Sequence, residues 1–157
     1  VCGRLGDAVE AACKEVGIDA VRGGTYLAME GPQFSTLAES NLYRSWGCDV
    51  IGMTNMPEAK LAREAEICYA TVAMVTDFDC WHPDHDHVTV EAIIKVLLEN
   101  AEKGRTLVKQ VAPKLSGRTD TCAHGCHTAL EHALITAPEA RDPDMIQKLS
   151  AVAGRVL

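Results

Sequence analysis

Apolar side chains recur along this chain with two periods, and each period predicts one type of secondary structure. Spacings of three and four residues predict helices over residues 5–16, from 36 onward, and over 57–66, 90–111, 127–135 and 143–156. Shorter apolar runs predict strands at 26–29, 49–53 and 70–75, the last two buried on both faces. Strands that alternate with helices predict right-handed crossovers and mostly parallel pairing. The pattern therefore predicts a three-layer α/β/α architecture, with residues 1–157 as a single domain.

Residues at the helix ends sharpen these boundaries. Thr36 and Glu39 stand in the S/T-x-x-E relation of a capping box, which predicts a helix start beside Thr36. Asp142 is expected to cap the last helix, with Pro143 in its first position. The apolar side chains of that last helix are expected to face inward, namely Met145, Leu149, Val152 and Val156.

Length, composition and charge argue against several classes of function. The chain has 157 residues, of which 47% are hydrophobic and 24% charged, as is ordinary for a globular domain. Its formal net charge of -7 argues against nucleic acid as a partner, because phosphate backbones attract basic surfaces. No run approaches the ~18 apolar residues of a membrane span, so we expect no membrane partner. The chain opens at Val1 with neither an initiator Met nor a signal peptide, and we expect it to be part of a longer protein.

The cysteines and histidines raise the question of a metal. Seven cysteines, an odd count without a secretory signal, favour a reducing cytoplasm. A non-catalytic metal-binding or regulatory module is one alternative, with candidate ligands His82, His85, His87, Cys122, His124, Cys126 and His127. Zinc sites usually show two compact ligand pairs, and Cys122-x3-Cys126-His127 fits that pattern only loosely. We therefore expect no metal, and either a disulfide or free thiols at Cys122 and Cys126.

Two aspartates follow the third predicted strand, and they are the sharpest chemical candidates. Asp77 and Asp79 point the same way if the strand continues through them, and ligands bind beyond strand ends in such sheets. Neighbouring carboxylates in a poorly solvated site cannot both ionise easily, so one pKa is expected to rise. A protonated acid there would donate to a leaving group while its partner accepts a hydrogen bond. The alternative is that both aspartates cap the next turn in solvent.

Two other predicted strand ends carry weaker signals. In the turn 29–35, Phe34 offers a stacking face just before a helix, or it packs as a hydrophobic staple for that helix. In 52–55, the Thr54 hydroxyl and free backbone amides suit an anion, or they cap the helix that follows.

Three runs match a known family in order and in spacing: MEGPQFSTLAES, IGMTNMPEAKLAREAEICYA and VAMVTDFDCW. They resemble the methylthioadenosine phosphorylases of the trimeric purine nucleoside phosphorylase family. The resemblance covers about residues 5–98, and the tail 118–157 is similar chiefly to bacterial members. It implies the carboxy-terminal half of a nucleoside phosphorylase fold, with a mixed, mostly parallel sheet flanked by helices. It also implies phosphorolysis of 5′-methylthioadenosine to adenine and 5-methylthioribose 1-phosphate by a homotrimer, without a cofactor beyond phosphate as co-substrate.

The resemblance implies a role for each matching residue. Around the purine and ribose, Phe34 stacks on the base, Ser35 lies near its edge, and Met53 packs under the sugar. Thr54 contacts phosphate, Asp77 faces purine N7 as the catalytic residue, and Asp79 accepts from the 6-amino group. The apolar wall around the 5′-methylthio group is formed by Val90, Ile93 and Ile94.

Other substrates and other chemistry remain as alternatives. Asp77 stands where similar 6-oxopurine enzymes have asparagine, which favours adenine over a 6-oxopurine nucleoside such as methylthioinosine. A hydrolytic nucleosidase would use water instead of phosphate, and the aspartates followed by Cys80 and Trp81 resemble the phosphorylases more closely. The family's phosphate-binding glycine turn and Arg-His segment precede the matched region. We therefore expect this chain to be inactive without the preceding half of the enzyme as its partner.

Overall fold

The structure is a computed structural model that describes residues 1–82 and 90–157, apart from the side chains of Val90 and Ala92. Its helices are α1 (Gly3–Glu15), α2 (Leu37–Ser45), α3 (Asn55–Glu64), α4 (Val90–Leu115) and α5 (Pro143–Ala153). Its strands are β1 (Tyr26–Ala28) and β2 (Val50–Gly52), and short 3₁₀ turns lie at Asp79–Trp81, Cys126–Thr128 and Pro138–Ala140. None of the helices within the described residues is long and apolar enough to cross a bilayer.

The chain folds into two compact units, each assembled from separate segments. Unit 1 contains Val1–Asp7, Met56–Thr71 and Arg118–Leu157, and unit 2 contains Ala8–Asn55 and Val72–Gly117.

A parallel pair of strands organises unit 2. β1 and β2 pair in register, with Tyr26 opposite Val50, Leu27 opposite Ile51 and Ala28 opposite Gly52. At the strand entry, the Thr25 N–H donates to Asp49 Oδ2 at 2.6 Å, and the Thr25 carbonyl accepts from the Asp49 N–H at 2.9 Å. Parallel strands end at the same edge of the sheet, so the loops that begin at Met29 and Met53 leave from one side.

The apolar centre of unit 2 lies between α1 and α4. Ala12, Cys13 and Leu107 are buried together there, and partly buried apolar side chains surround them at Val9, Ile18 and Val111. Beside this centre, the Glu15 carboxylate accepts hydrogen bonds from the Lys114 ammonium and the Gln110 amide, which lower the pKa of Glu15. The amphipathic stripe that predicts α4 is thus partly buried against α1.

The third predicted strand is absent, and this corrects the sequence prediction. Residues 70–78 form neither helix nor strand, and Val72, Met74 and Val75 are exposed. A strand buried on both faces needs a neighbour in the sheet, but β1 and β2 pair with each other and no described strand pairs with this run. The run is instead attached to α4, where Asn100 Nδ2 donates to the Val75 carbonyl at 3.1 Å and the Met74 methyl covers Gly104.

In unit 1, the predicted helix over 127–135 is also absent. The backbone there makes tight i to i+3 turns, such as the Glu131 N–H to the Thr128 carbonyl at 3.1 Å. The Leu130 N–H, which a helix would direct to a backbone carbonyl one turn earlier, donates instead to Glu66 Oε1 at 3.0 Å. A tertiary contact from a distant segment therefore replaces the helical hydrogen bond.

The last helix begins where the sequence predicts it. Asp142 Oδ1 accepts from the Asp144 and Met145 N–H groups at 2.8 and 3.0 Å, and Pro143 occupies the first turn. Its apolar face is not inward as predicted, since Met145, Leu149 and Val152 are exposed and only Val156 is half-buried. No described element of unit 1 covers that face.

An ion network closes the carboxy-terminal part of unit 1. Arg155 donates to both oxygens of Glu66, at 2.6 and 2.7 Å, and to Glu131 Oε2 at 2.9 Å. These bonds from Arg155, with the Leu130 N–H, lower the pKa of Glu66 to about 2. The network joins the end of α5 to the segment after α3 and to the turns that follow Cys126.

Candidate functional site

The start of α2 positions the hydroxyls of two serines, Ser35 and Ser40. Thr36 Oγ1 accepts from the Glu39 N–H at 3.3 Å, and Glu39 Oε2 accepts from the Thr36 N–H at 2.7 Å, which completes the predicted capping box. The box fixes where the helix begins and thereby places Ser35 just outside it and Ser40 one turn inside it. Ser40 is only 2% exposed.

The carboxylate of Asp79 lies on these two hydroxyls. Ser35 Oγ donates to Asp79 Oδ2 at 3.1 Å, and the Ser40 hydroxyl donates to the same oxygen. Burial acts to raise the pKa of Asp79, but donation from Ser40, from the Cys80 N–H and from Ser35 lowers it below its ordinary value. Asp79 also has a positive φ of 58°, an uncommon backbone conformation for a residue other than glycine. Asp79 is therefore an ionised acceptor held in place by α2.

Asp77 has different surroundings from Asp79. Its Oδ1 accepts from the Asp79 N–H at 2.8 Å, and its Oδ2 accepts from Thr76 Oγ1 at 2.8 Å. The Asp77 side chain is exposed, whereas Asp79 is half-buried. The sequence predicts that one of the two pKa values rises, whereas the pKa of Asp79 is lowered. Two aspartates in distinct environments can take different roles in acid–base chemistry.

The loops after β1 and β2 meet at Gly31. The Met53 side chain lies against Gly31, whose φ is +67°, and a Cβ on that glycine would lie 2.5 Å from Met53 Sδ. A side chain at residue 31 would therefore be strained by its backbone and crowded by Met53. Met53 is half-buried at this junction, and Thr54 beside it is exposed. The structure thus brings the loops after both strands together at Gly31 and Met53.

The other predicted site residues make no hydrogen bond to Asp77 or Asp79 among the described residues, and most of them are exposed. Phe34 is 80% exposed, so its ring is not buried as a staple against α2. On α4, Ile93 is half-buried and Ile94 is 50% exposed, while Val90 begins the helix and its side chain lies outside the described part. The structure joins Ser35, Asp77 and Asp79 directly, and leaves Phe34, Thr54 and Ile94 open to a ligand.

Aromatic rings border the aspartate segment. Phe78 packs edge-on to Trp81 with ring centroids 6.2 Å apart, and the Arg44 guanidinium lies 3.7 Å from the centre of the Trp81 ring. His82 stacks at 4.9 Å from Phe78. Two other histidines proposed as metal ligands, His85 and His87, lie outside the described residues.

Sequence reasoning missed Ser40 and Cys80. Ser40 Oγ lies 3.5 Å from Cys80 Sγ, and the Cys80 thiol points at the Ser35 carbonyl at 3.7 Å. A small polar residue one turn after a capping box is a signal that could have marked Ser40, because that position lies on the same face as the cap. No comparable local signal marks Cys80.

The model of the phosphorylase superfamily matches residues 1–113 of this chain. Among curated relatives, the S-methyl-5′-thioadenosine phosphorylase of Rhodospirillum rubrum is 68% identical over 153 residues, which are 98% of this chain and 52% of the relative. The protein with that name from Cereibacter sphaeroides is 62% identical over 156 residues, which are 99% of this chain and 54% of the relative. The chain therefore spans about half the length of these relatives.

Solved structures give the same result for the fold. A methylthioadenosine phosphorylase from an Antarctic soil metagenomic library superposes with a TM-score of 0.86 at 42% identity, covering 97% of this chain and 53% of that structure. A methylthioadenosine phosphorylase from Schistosoma mansoni in complex with adenine gives a TM-score of 0.69 at 25% identity, covering 83% and 50%. These likenesses confirm the α/β fold class predicted from the sequence, that of one half of a nucleoside phosphorylase.

Proposed function

This chain belongs to the phosphorylase superfamily, and from that premise we propose that it carries the purine side of an S-methyl-5′-thioadenosine phosphorylase. The reaction converts 5′-methylthioadenosine and phosphate to adenine and 5-methylthioribose 1-phosphate. The observation that carries the proposal is the pair of aspartates beside the start of α2, with Asp79 held by two serine hydroxyls and Asp77 open to a ligand. The names of the relatives at 68% and 62% identity support the choice of nucleoside.

Asp79 selects the base. An ionised carboxylate accepts a hydrogen bond from a 6-amino group but meets the lone pairs of a 6-oxo group, so it favours adenine over hypoxanthine. Ser35 and Ser40 maintain both the charge and the position of this carboxylate, because each hydroxyl donates to Asp79 Oδ2. Ser35 acts mainly through Asp79 in this arrangement and lies beside the purine edge.

Asp77 acts at N7 of the leaving base. When the ribose–N9 bond breaks, its electrons move onto the purine, and a proton or strong hydrogen bond at N7 stabilises that charge. Acid assistance of this kind contributes about 10²–10⁴-fold in rate. Asp77 is exposed and so reaches a ligand outside the chain, and the Asp79 N–H and Thr76 hydroxyl orient its two oxygens.

The remaining residues shape the nucleoside pocket. The Phe34 ring stacks on the purine, which its 80% exposure permits. Met53, whose side chain lies against Gly31, packs under the ribose. Val90, Ile93 and Ile94 at the start of α4 form the apolar wall for the methylthio group. Thr54 contributes a hydroxyl to phosphate, which is a co-substrate, and the reaction uses no metal or organic cofactor at this site.

The other half of the relatives' length supplies the rest of the active site. The chain covers 52% and 54% of its two relatives, and its apolar run at Val72, Met74 and Val75 is exposed. We infer that the missing half pairs with and covers this run, and that it brings the main phosphate-binding groups. The chain by itself is then inactive, and the complete enzyme works as a cytoplasmic homotrimer.

Adenine release from 5′-methylthioadenosine tests the proposal. The protein at its full natural length should release adenine only when phosphate is present, and should form 5-methylthioribose 1-phosphate in equal amount. The 157-residue chain alone should release none. Adenine release without phosphate would indicate a hydrolytic nucleosidase and contradict the proposal, as would a preference for methylthioinosine.

A further inference from the structure

Four cysteine thiols converge at one point in unit 1. The sulfur atoms of Cys2, Cys68, Cys122 and Cys126 all lie within 4.8 Å of one another, and Cys2 Sγ is 3.5 Å from Cys122 Sγ. Cys2, Cys122 and Cys126 are buried, and Cys68 packs against them half-buried. The four cysteines have free thiols in the structure.

These sulfurs come from every segment of the unit. Val1–Asp7 supplies Cys2, Met56–Thr71 supplies Cys68, and Arg118–Leu157 supplies Cys122 and Cys126. Among the described residues, the buried apolar side chains of unit 1 are these three buried cysteines, with Leu5 and Cys68 packed beside them. An assembly with so small an apolar centre is of the kind that proteins commonly stabilise with a structural metal or with disulfides.

The spacing of the sulfurs suits a single tetrahedral ion. A zinc–sulfur bond of about 2.3 Å places the sulfurs of a tetrahedral site about 3.8 Å apart. The observed sulfur–sulfur distances are 3.5 Å for one pair and at most 4.8 Å for all pairs, so they span the distance expected for such a site. An iron–sulfur cluster would spread its thiolates further, because the four are distributed over two or four irons.

Hydrogen-bond donors lie beside two of the four sulfurs. The His124 and Cys126 N–H groups both donate to the Cys122 sulfur. Arg4 Nη2 lies 3.8 Å from Cys68 Sγ, and Asp120 fixes the guanidinium at 2.7 Å. Backbone N–H groups and a nearby cation stabilise metal-bound thiolates.

We propose that Cys2, Cys68, Cys122 and Cys126 bind one structural zinc ion that ties the three segments of unit 1 together. The four thiols release their protons to solvent as they coordinate the ion, and no coordination position remains for a substrate. The ion is therefore not part of the phosphorolysis reaction. The sequence predicts at most a pair at Cys122 and Cys126, because Cys2 and Cys68 lie 120 and 54 residues before Cys122.

Metal analysis of the full-length protein tests this proposal. Protein purified in reductant, without chelators, should contain about one zinc per chain when measured by inductively coupled plasma mass spectrometry. Cys126→Ser and Cys68→Ser should lower the zinc content at least fivefold, whereas Cys48→Ser, in unit 2, should leave it unchanged. Cobalt substituted for zinc should give the strong visible absorption of a tetrahedral thiolate site, and that absorption should be lost in the first two variants.

Thiol titration of the wild-type protein decides the matter if those variants fail to fold. Addition of a strong chelator should release the zinc and make about four more thiols reactive. The proposal is wrong if the wild-type protein contains no stoichiometric zinc, if iron takes its place, or if intact mass shows disulfides among the four cysteines. Zinc that stays bound in Cys68→Ser and Cys126→Ser would likewise overturn the assignment.

Discussion

The carboxylate of Asp79 meets two serine hydroxyls, whereas that of Asp77 meets a threonine hydroxyl and one backbone N–H at an exposed position. Hydrogen-bond donors stabilise the charged form of a carboxyl group and lower its pKa, so Asp79 is ionised and can only accept hydrogen bonds. Asp77 is exposed, and the proposed function assigns it the proton transfer to the leaving base. In the proposed function, base selection at Asp79 is thus separate from leaving-group activation at Asp77.

Replacing each aspartate by asparagine separates these roles in the full-length enzyme. Asp77→Asn removes the acid, so kcat for methylthioadenosine should fall by at least ~10², with a smaller loss on methylthioinosine. Asp79→Asn should instead weaken discrimination between 6-amino and 6-oxo bases, because an amide can serve either one. Asp19→Asn, an exposed change of the same charge, is the control. Steady-state kinetics with both nucleosides measure the effect, and a wild-type kcat in Asp77→Asn would contradict the acid role.

Ser40 is a positioning residue whose removal should be visible in a pH profile. Ser40→Ala takes a donor from Asp79, so the pKa of that carboxyl rises toward its ordinary value. Protonation then occurs at higher pH, and the acid limb of kcat/KM for methylthioadenosine should move upward. Ser40→Thr retains the hydroxyl and should restore the limb. An unchanged limb in Ser40→Ala, with only a general loss of activity, would show that Ser40 serves packing alone.

The capping box of α2 should affect both the free energy of unfolding of the protein and the geometry of the candidate site. Thr36→Ala removes the acceptor for the Glu39 N–H and should cost about 1 kcal/mol of unfolding free energy. Because the same helix start aims Ser35 and Ser40 at Asp79, KM for methylthioadenosine should rise as well. Urea denaturation and kinetics of the variant measure both effects. Ser116→Ala, at an exposed position, should change the unfolding free energy by less than about 0.5 kcal/mol.

Elements whose signals are local were predictable from the sequence, and those that depend on distant residues were not. The Thr36 and Asp142 caps lie within a few residues of what they satisfy, so both helix starts agree with the structure. The 127–135 helix was wrong because Glu66 takes the Leu130 N–H. The 70–75 strand was wrong because no described strand pairs with it.

The same distinction applies to the candidate site. Asp77 and Asp79 were predicted as site residues because they directly follow an apolar run, a pattern that the sequence shows without any structure. Ser40 was missed because only the fold of unit 2 buries it against Asp79. The four-cysteine set was missed because its members come from three segments that the sequence keeps apart.

At the scale of the whole molecule, stability should depend on pH through Glu66. Its pKa is about 2 in the folded protein against 4.5 ordinarily, so its contribution is present above pH 4.5 and is lost as pH falls toward 2. Glu66→Gln should therefore lower Tm most near neutral pH, and the gap from wild type should narrow in acid. Wild type and Glu66→Gln carry the same cysteines, so any effect of acid on a bound metal cancels in the difference between their Tm values.

Scanning calorimetry of wild type, Glu66→Gln and the exposed control Glu64→Gln measures this gap. The control should follow the wild-type curve at every pH. A gap between Glu66→Gln and wild type that stays constant down to pH 2 would show that the Arg155 contacts do not depend on the charge of Glu66.

The uncovered apolar run after α3 has a consequence for how the protein is made. Residues 71–75, Thr-Val-Ala-Met-Val, combine β-branched side chains with no charge and no proline, and their backbone is in no ladder. Such a segment is a template for strand addition between molecules, unless the other half of the enzyme covers it as proposed above. In the proposed full-length enzyme the preceding half is synthesised first and covers this run, so the 157-residue chain expressed alone should collect in inclusion bodies. Co-expression of the other half should raise its soluble fraction, as measured by fractionation of the cell lysate.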